Sequence, residues 1–259
     1  MTKEDIAELL ESRGCKFSLQ DKLVLAIPGK QAPTFFYKSL YSNLNISISK
    51  QSIFICSGKE LSLKEQKNWC FYSMNLSELV EILAVIDTAM GQSFLSQKRK
   101  AALDSDIHQE FIPLDDMFSS DVSIKNIAID LIIRNQSQFD RWCEVLRKYE
   151  AYGMMRFLLS SAQQNTNANI NQLCVRYGIS ASYFRQLYRE NFNKTAKRKI
   201  MSVRMANAIL QLIESEESIL SVGLEAGYCS ASHFTNDIKK ELGLTPSEIR
   251  HLGAMLYEP

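Results

Sequence analysis

The spacing of apolar residues divides the chain into a mixed N-terminal part and a helical C-terminal part. Four segments rich in aromatic and β-branched residues, bounded by Gly, Pro, Ser or Asn, are predicted as strands: 22–28, 34–41, 45–57 and 69–74. Apolar residues three or four positions apart predict helices at 2–13 and 75–90. The stretch 91–120 is polar and weakly patterned, so we expect it to be irregular.

Helical periodicity begins at Asp121 and continues to the C-terminus. It is interrupted near 135–137 and again by the polar segment 163–169, whose last residue, Asn169, is a candidate helix N-cap. The expected fold class is therefore α+β. A mixed, strand-containing N-terminal domain (1–137) is followed by an all-α domain (138–259).

A short phrase occurs twice in the helical part. Residues 180–184 read Ser-Ala-Ser-Tyr-Phe, and residues 230–234 read Ser-Ala-Ser-His-Phe. Each copy follows a glycine, Gly178 or Gly227, and opens an amphipathic helix, which is the pattern of a helix-turn-helix unit in duplicate. The prediction is two such units joined by a linker helix: 170–192, 195–213 and 218–242.

The second helix of the first unit has one apolar and one polar face. Residues predicted to face the core are Phe184, Leu187, Tyr188 and Phe192, and those predicted to face outward are Ser182, Arg185, Gln186 and Arg189. Guanidinium and amide groups are those that bind guanine and adenine edges in the major groove. Glu190, the only acidic residue of this helix, is expected beside that face. An ordinary solvated surface remains the alternative.

The second unit has a less cationic outward face. Phe234, Ile238 and Leu242 are predicted to face inward, and Ser232, His233, Asn236, Lys239 and Lys240 outward. Asn236 can pair with a base and the two lysines suit phosphate, but a unit that only braces the DNA backbone is an equally good reading. The small residues Cys174 and Gly223 are expected where the helices of each unit cross, and Cys229 in the second turn has no evident partner.

The linker helix sets the distance between the two units. Its inward residues are predicted to be Ile200, Val203, Ala206, Leu210 and Ile213. About 18 residues at ~1.5 Å each give a rod of roughly 27 Å, which is shorter than the ~34 Å between successive major-groove faces of DNA. Both units are expected to reach one site only with tilt or with bent DNA, or the second unit engages loosely.

Charge is distributed unevenly although the net charge is only +1. Residues 170–204 contain eight basic side chains and one acidic side chain, whereas residues 213–259 contain three basic and eight acidic side chains. The first unit should therefore supply most of the attraction to phosphate.

Cysteine and histidine usage argues against a metal or disulfide framework. Six cysteines are scattered without a Cys-x-x-Cys pair, and three histidines lie far apart. We expect no cofactor and no metal. The N-terminus lacks a signal-peptide pattern, and no apolar run approaches the ~20 residues that cross a bilayer, so a cytoplasmic protein without membrane contact is expected.

The run from Asn169 to Arg250 resembles the DNA-binding domain of the AraC/XylS family of transcriptional regulators. The resemblance is carried by three motifs: Gly-Tyr at 227–228, Ser-His-Phe at 232–234 and Leu-Gly-Leu-Thr-Pro-Ser-Glu at 242–248. Further short motifs at 149–152, 177–180, 183–185 and 204–206 are similar to the activators of type III secretion genes in Gram-negative pathogens.

This resemblance implies a sequence-specific transcriptional activator of type III secretion or virulence genes. The implied base contacts are Ser182, Arg185, Gln186, Ser232, His233 and Asn236. The expected phosphate contacts are Arg189, Lys194, Lys197, Arg198, Lys239 and Lys240. Promoter DNA and RNA polymerase follow as partners. Members of this subgroup can work with a secretion chaperone as co-activator, and a homodimer is left open.

The alternatives to an activator fall into three classes. A repressor, or a ligand-responsive repressor or activator whose N-terminal domain binds an apolar small molecule through Phe35-Phe36-Tyr37, is the first, although such aromatics are more often plain core. An enzyme with an appended DNA-binding domain is disfavoured, because the sequence has no nucleophile motif, phosphate loop or ligand cluster. A helical adapter that binds only protein would show no salt-dependent DNA binding.

Overall fold

The computed structural model describes residues 18–38, 45–56, 68–91, 111–114, 123–134, 137–164 and 170–257. The predicted helix at 2–13 and the candidate cap Asn169 lie outside these residues. The chain forms two compact units, Met1–Gly153 and Met154–Pro259. The first contains the described strands and the second is helical, so the fold is α+β. The units divide 16 residues after the predicted domain boundary.

An antiparallel sheet forms the core of the first unit. Its strands, in spatial order, are β5 (Trp69–Asn75), β1 (Lys22–Pro28), β4 (Ser52–Cys56) and β6 (Phe111–Pro113). Strand β1 pairs along its whole length with β5 and over residues 22–26 with β4, so that Leu23 lies opposite Met74 on one side and Ile55 on the other. A two-stranded hairpin consists of β2 (Phe35–Lys38) and β3 (Asn45–Ile48).

Two strand predictions were wrong in detail. The segment 45–57 is two strands, because the polar residues 49–51 turn the chain and the Ser52 hydroxyl donates to the Lys50 carbonyl at 2.8 Å. The stretch 91–120 contains β6, which pairs with β4 and buries Ile112. Three residues are too few for a local pattern, and pairing with a neighbouring strand makes this one a strand.

The aromatic residues considered as a ligand surface belong mainly to the core. Phe35 and Tyr37 are buried in one cluster with Phe54 and Trp69. The Tyr37 hydroxyl donates to the Ile55 carbonyl at 3.0 Å. The middle residue, Phe36, points away and is 70% exposed. Phe35 and Tyr37 therefore have a packing role.

In the described residues from 76 to 164 the helices are α1 (Leu76–Ala89), α2 (Ile124–Ile133), α3 (Ser137–Leu146) and α4 (Glu150–Gln164). The sequence did not predict the interruption between α3 and α4. There the buried Arg147 donates from Nε and Nη2 to both carboxylate oxygens of Asp87 on α1, at 2.9 and 3.1 Å. Tyr152, in the first turn of α4, donates to Asp87 at 2.6 Å. Arg147, in this interruption, and Tyr152, just after it, thus both donate to the buried carboxylate of Asp87.

Burial and charge shift the pKa values in this cluster. Burial alone would lower the pKa of Arg147, but the hydrogen bond and negative charge of Asp87 raise it above its usual value. Burial also raises the pKa of the adjacent Cys143 thiol to about 12. Cys143 is therefore a thiol at neutral pH.

Six helices make up the rest of the second unit: α5 (Ile170–Tyr177), α6 (Ala181–Phe192), α7 (Ala196–Glu214), α8 (Ile219–Glu225), α9 (Ala231–Leu242) and α10 (Pro246–Tyr257). The observed limits of the two helix-turn-helix units and of the linker helix lie within one residue of the predicted limits, 170–192, 195–213 and 218–242. Cap residues explain this accuracy, because Ser180, Thr195, Ser218 and Ser230 each accept a hydrogen bond from a backbone N–H of the first turn.

Candidate nucleic-acid interface

The first helix-turn-helix unit holds α6 through an aromatic core. Gly178, with φ of +83°, turns the chain between α5 and α6. The buried rings of Phe184, Tyr188 and Phe192 follow one face of α6 with centroid separations of 6.3 and 4.8 Å. These contacts fix which face of α6 is turned away from the core.

Cys174 lies at the crossing of α5 and α6, as predicted, and is buried. Burial raises the pKa of its thiol, and the nearby charge of Arg185 opposes that shift only in part. A neutral, buried thiol packs as a small apolar group. The packing role predicted for Cys174 is confirmed.

All four residues predicted for the outward face of α6 are exposed: Ser182, Arg185, Gln186 and Arg189. Two of them are hydrogen bonded within the chain. Arg185 Nη2 donates to Asn171 Oδ1 on α5 at 2.9 Å, and Gln186 Nε2 donates to Glu190 Oε1 at 2.9 Å. Glu190 lies beside that face, as expected, and its carboxylate reaches back to Gln186 one turn earlier.

A cleft of about 800 Å³ opens next to this face. It lies between the start of α5, the outer side of α6 and the first turns of α7. Its lining includes the basic residues Arg185, Arg189, Lys197 and Arg204 together with one acid, Glu190. The surface beside α6 is therefore predominantly cationic, which favours phosphate.

The start of α7 adds further basic groups. Lys194 precedes the helix, while Lys197 and Arg198 lie in its first turn, and all three are exposed. The Thr195 hydroxyl caps the helix by accepting from the Arg198 backbone N–H at 3.3 Å. Backbone N–H groups at a helix start attract anions, so the basic side chains and the helix terminus act in the same direction.

The predicted inward face of α7 was wrong. Ile200 is buried, but Ala206 is exposed and Leu210 is 54% exposed. The residues that the helix buries lie four positions apart: Ala196, Ile200, Arg204, Ala208 and Leu212. The prediction chose only apolar residues for the inward face of α7 and therefore left out Arg204. In the structure Arg204 is buried, and burial lowers the pKa of its guanidinium.

In the second helix-turn-helix unit, α8 and α9 cross so closely that a side chain at position 223 would crowd its neighbour. A Cβ on Gly223 would lie 3.1 Å from three side-chain atoms of Phe234, which is fully buried. A side chain at this position would therefore require Phe234 to shift by a few tenths of an ångström, and Gly223 lies at the crossing that the sequence indicated. Ile238 is buried as predicted, but Leu242 is 48% exposed, because the last turn of α9 extends beyond this core.

The outward face of α9 presents exposed Ser232, His233, Asn236, Lys239 and Lys240. His233 is surrounded by side chains of its own unit. Its Nδ1 lies 3.4 Å from Cys229 Sγ, and its Nε2 lies 3.9 Å from Asp237 Oδ2. The Tyr228 ring approaches the imidazole edge-on at 5.3 Å. The expectation that Cys229 has no partner was wrong, because the first turn of α9 places His233 in contact with Cys229, four residues earlier in the chain.

The structure groups the predicted site residues by unit. Ser182, Arg185 and Gln186 share one face of α6, and Arg189 with the basic residues at the start of α7 lies beside them. Ser232, His233 and Asn236 share one face of α9, whose last turn carries the two lysines. Sequence reasoning missed Asn171 and the hydrogen bond between Gln186 and Glu190. The spacing of Gln186 and Glu190, i and i+4, could have revealed that pair, whereas nothing local indicated Asn171.

Other kinds of site find little support in the part of the chain that the structure describes. No group of three or more His, Cys, Asp or Glu side chains there is arranged to hold a metal ion. Among the same residues, none of the helices combines the length and the apolar character needed to cross a membrane.

The chain is similar to a family model and to several known proteins. Residues 173–251 match a family model described as a helix-turn-helix domain. The transcriptional regulator MxiE of Shigella flexneri is 22% identical over 202 residues, which cover 78% of this chain and 94% of that protein. The invasion protein InvF of Salmonella typhimurium is 31% identical over 121 residues, covering 47% of this chain and 55% of that protein. A crystal structure of ToxT from Vibrio cholerae aligns over 91% of both chains with 12% identity and a TM-score of 0.39.

Proposed function

We propose that this chain, an AraC-type helix-turn-helix transcriptional regulator, activates promoters by placing α6 and α9 in the major groove. The observation that carries this proposal is the outer face of α6. A capped helix, held by a buried aromatic core, presents Arg185, Gln186 and Arg189 beside a cationic cleft. A rigid helix with arginine and amide groups at its surface suits base edges and phosphates together.

The base contacts are assigned to the exposed outer faces of the two helices: Ser182, Arg185, Gln186, Ser232, His233 and Asn236. Arg185 suits guanine, and the amides of Gln186 and Asn236 suit adenine. His233 can donate or accept at a base edge, and its neighbours Cys229 and Asp237 limit how its ring turns.

The phosphate contacts are assigned to exposed cations around those faces: Arg189, Lys194, Lys197, Arg198, Lys239 and Lys240. Four of the six belong to the first unit and the start of α7. The first unit is therefore the anchor. The second unit contributes fewer cations and carries Asp237 and Glu241 on the same helix, so it assists.

The target genes are proposed to be those of type III secretion or virulence. This proposal rests on the short motifs described above and on similarity to a transcriptional regulator of Shigella and an invasion protein of Salmonella. Residues 1–137 would then act as a domain that receives a signal, dimerises or docks a secretion chaperone. RNA polymerase would be the other partner, and the bacterial cytoplasm the place of action.

A small-molecule signal bound by the N-terminal domain is the second candidate. Phe36 is the aromatic residue of the 35–37 segment that is free to contact a ligand, because Phe35 and Tyr37 are buried. A Phe36→Ser variant would lose its response to such a ligand while its DNA binding without ligand stayed unchanged.

The test compares Arg185→Ala with Lys197→Ala in the full chain, by selection of bound duplexes from a random library and by fluorescence anisotropy. Arg185→Ala should lose base preference as well as affinity, since a bidentate contact discriminates by about 1–3 kcal/mol. Lys197→Ala should weaken all sequences alike. Unchanged preference in Arg185→Ala would exclude α6 as the reading helix, and salt-independent or absent DNA binding would indicate a protein adapter.

A further inference from the structure

Two hydrogen bonds on the outer side of the first unit connect proposed base-reading residues to residues without an assigned role. Arg185 on α6 is bonded to Asn171 on α5, and Gln186 is bonded to Glu190 one turn further along α6, each at 2.9 Å. All four side chains are exposed. Long polar side chains lose rotamer freedom when they bind, so bonds already present in the free chain reduce that loss and select an orientation.

We infer that Asn171 and Glu190 are positioning residues that determine the base preference of the first unit, Asn171 through Arg185 and Glu190 through Gln186. The inference rests on the proposed function, because it requires α6 to read base edges.

Glu190 leaves the adenine-reading edge of Gln186 available. The amide has two N–H donors and one carbonyl acceptor. Glu190 accepts one donor, so the second N–H and the carbonyl oxygen remain. These are the two groups that pair with N7 and N6 of adenine. The bond therefore restricts rotation of the amide while retaining the bidentate contact, which favours adenine at this position.

Asn171 acts on Arg185 from a different helix. It accepts one of the five guanidinium N–H groups, which leaves enough donors for O6 and N7 of guanine. The Tyr177 ring on α5 packs edge-on against the buried Phe184 ring on α6, with centroids 5.8 Å apart, and so holds α5 against α6. The Arg185 guanidinium is thus oriented by a group whose position is set by the packed core of the unit.

Glu190 also has an electrostatic effect that must be separated from positioning. Its negative charge opposes binding to phosphates on any sequence. Replacing it by glutamine removes the charge but keeps an oxygen that accepts the hydrogen bond. Replacing it by alanine removes both. The difference between the two variants therefore isolates the hydrogen bond.

The experiment measures affinity of the full chain for its selected site and for all single-base-pair variants of that site. Glu190→Gln should bind every duplex more tightly with the same preference. Glu190→Ala should also bind more tightly overall, but its discrimination at the Gln186 base pair should fall at least fivefold, out of the roughly 5- to 150-fold that a bidentate contact supplies.

Asn171→Ala should lower discrimination only at the Arg185 base pair, and Asn171→Asp, which keeps the acceptor, should retain it. All four positions are at the surface, so thermal unfolding should stay within a few degrees of the parent chain.

The outcomes separate this inference from the function on which it rests. Identical preference profiles for Glu190→Ala and Glu190→Gln, or an unaltered profile for Asn171→Ala, would overturn the positioning role. If Arg185→Ala nevertheless loses its preference in the same assay, the assignment of α6 as reading helix stands. If Arg185→Ala also keeps its preference, both conclusions fall.

Discussion

The unequal charge of the two units leads to a quantitative expectation for the salt dependence of DNA binding. Each phosphate neutralised by a basic side chain contributes about −0.9 to the slope of log Kobs against log salt concentration. Six phosphate contacts therefore give a slope of roughly −5. Four of them lie at α6 and the start of α7, and two lie on α9, so the contributions are about −3.6 and −1.8.

The perturbation replaces one set of cations at a time by glutamine. The first variant changes Arg189, Lys194, Lys197 and Arg198, and the second changes Lys239 and Lys240. Fluorescence anisotropy between 50 and 300 mM salt should give slopes of roughly −2 for the first and −4 for the second. Raising salt from 50 to 200 mM should weaken binding of the parent chain about a thousandfold.

A matched control lies in the compact unit Met1–Gly153. Lys125 is an exposed lysine whose Nζ is 2.7 Å from Glu78, and Lys125→Gln should leave the slope unchanged. A larger loss of slope from the α9 pair than from the four residues of the first unit would refute the view that the first unit is the anchor.

Three further predictions concern stability. Gly223→Ala gains about 1 kcal/mol of helix propensity, but overpacking against the buried Phe234 costs about 1–3 kcal/mol. We therefore expect a lower urea midpoint, and a higher one would show that Phe234 yields. Asp87→Asn should cost about 1–3 kcal/mol in urea unfolding, because Arg147 loses its bidentate charged partner but keeps Glu144 at 2.8 Å; no measurable cost would mean that Glu144 and water compensate fully. Glu248 accepts from the N–H and hydroxyl of the residue that caps α10, which lowers the pKa of its carboxyl below the ordinary 4.5. Its contribution is present above pH 4.5 and is lost as pH falls through the lowered pKa, so the thermal midpoints of the parent chain and Glu248→Gln should converge in acid; a constant difference down to pH 3 would argue against this.

The helices of the compact unit Met154–Pro259 could be predicted from sequence, because residues close to their ends mark where they begin and stop. Ser180, Thr195 and Ser230 cap helix starts through side-chain oxygens, and Gly178 and Gly243 adopt positive φ where a helix ends. These signals involve residues only a few positions apart. The outward face of α6 was predictable for a related reason, since the aromatic residues that pack inward leave Arg185 and Gln186 on the other side.

Where a residue's environment is set by distant parts of the chain, prediction failed. Arg204 was left out of the predicted inward face of α7, yet the structure buries it there. Strand β6 was missed because three residues become a strand only by pairing with β4. The interruption before α4 depends on Asp87, sixty residues from Arg147.

The sequence by itself determined that this chain contains two helix-turn-helix units, that the first is the more cationic, and which residues face outward from α6. Caps, turn glycines and helical periodicity are local properties, so they can be read without a fold. Only the tertiary structure decided how the outward groups are oriented. Asn171 on α5 accepts a hydrogen bond from Arg185 on α6, and Cys229, in the turn before α9, contacts His233 on that helix. Those contacts depend on how helices pack, and packing is determined by the whole core.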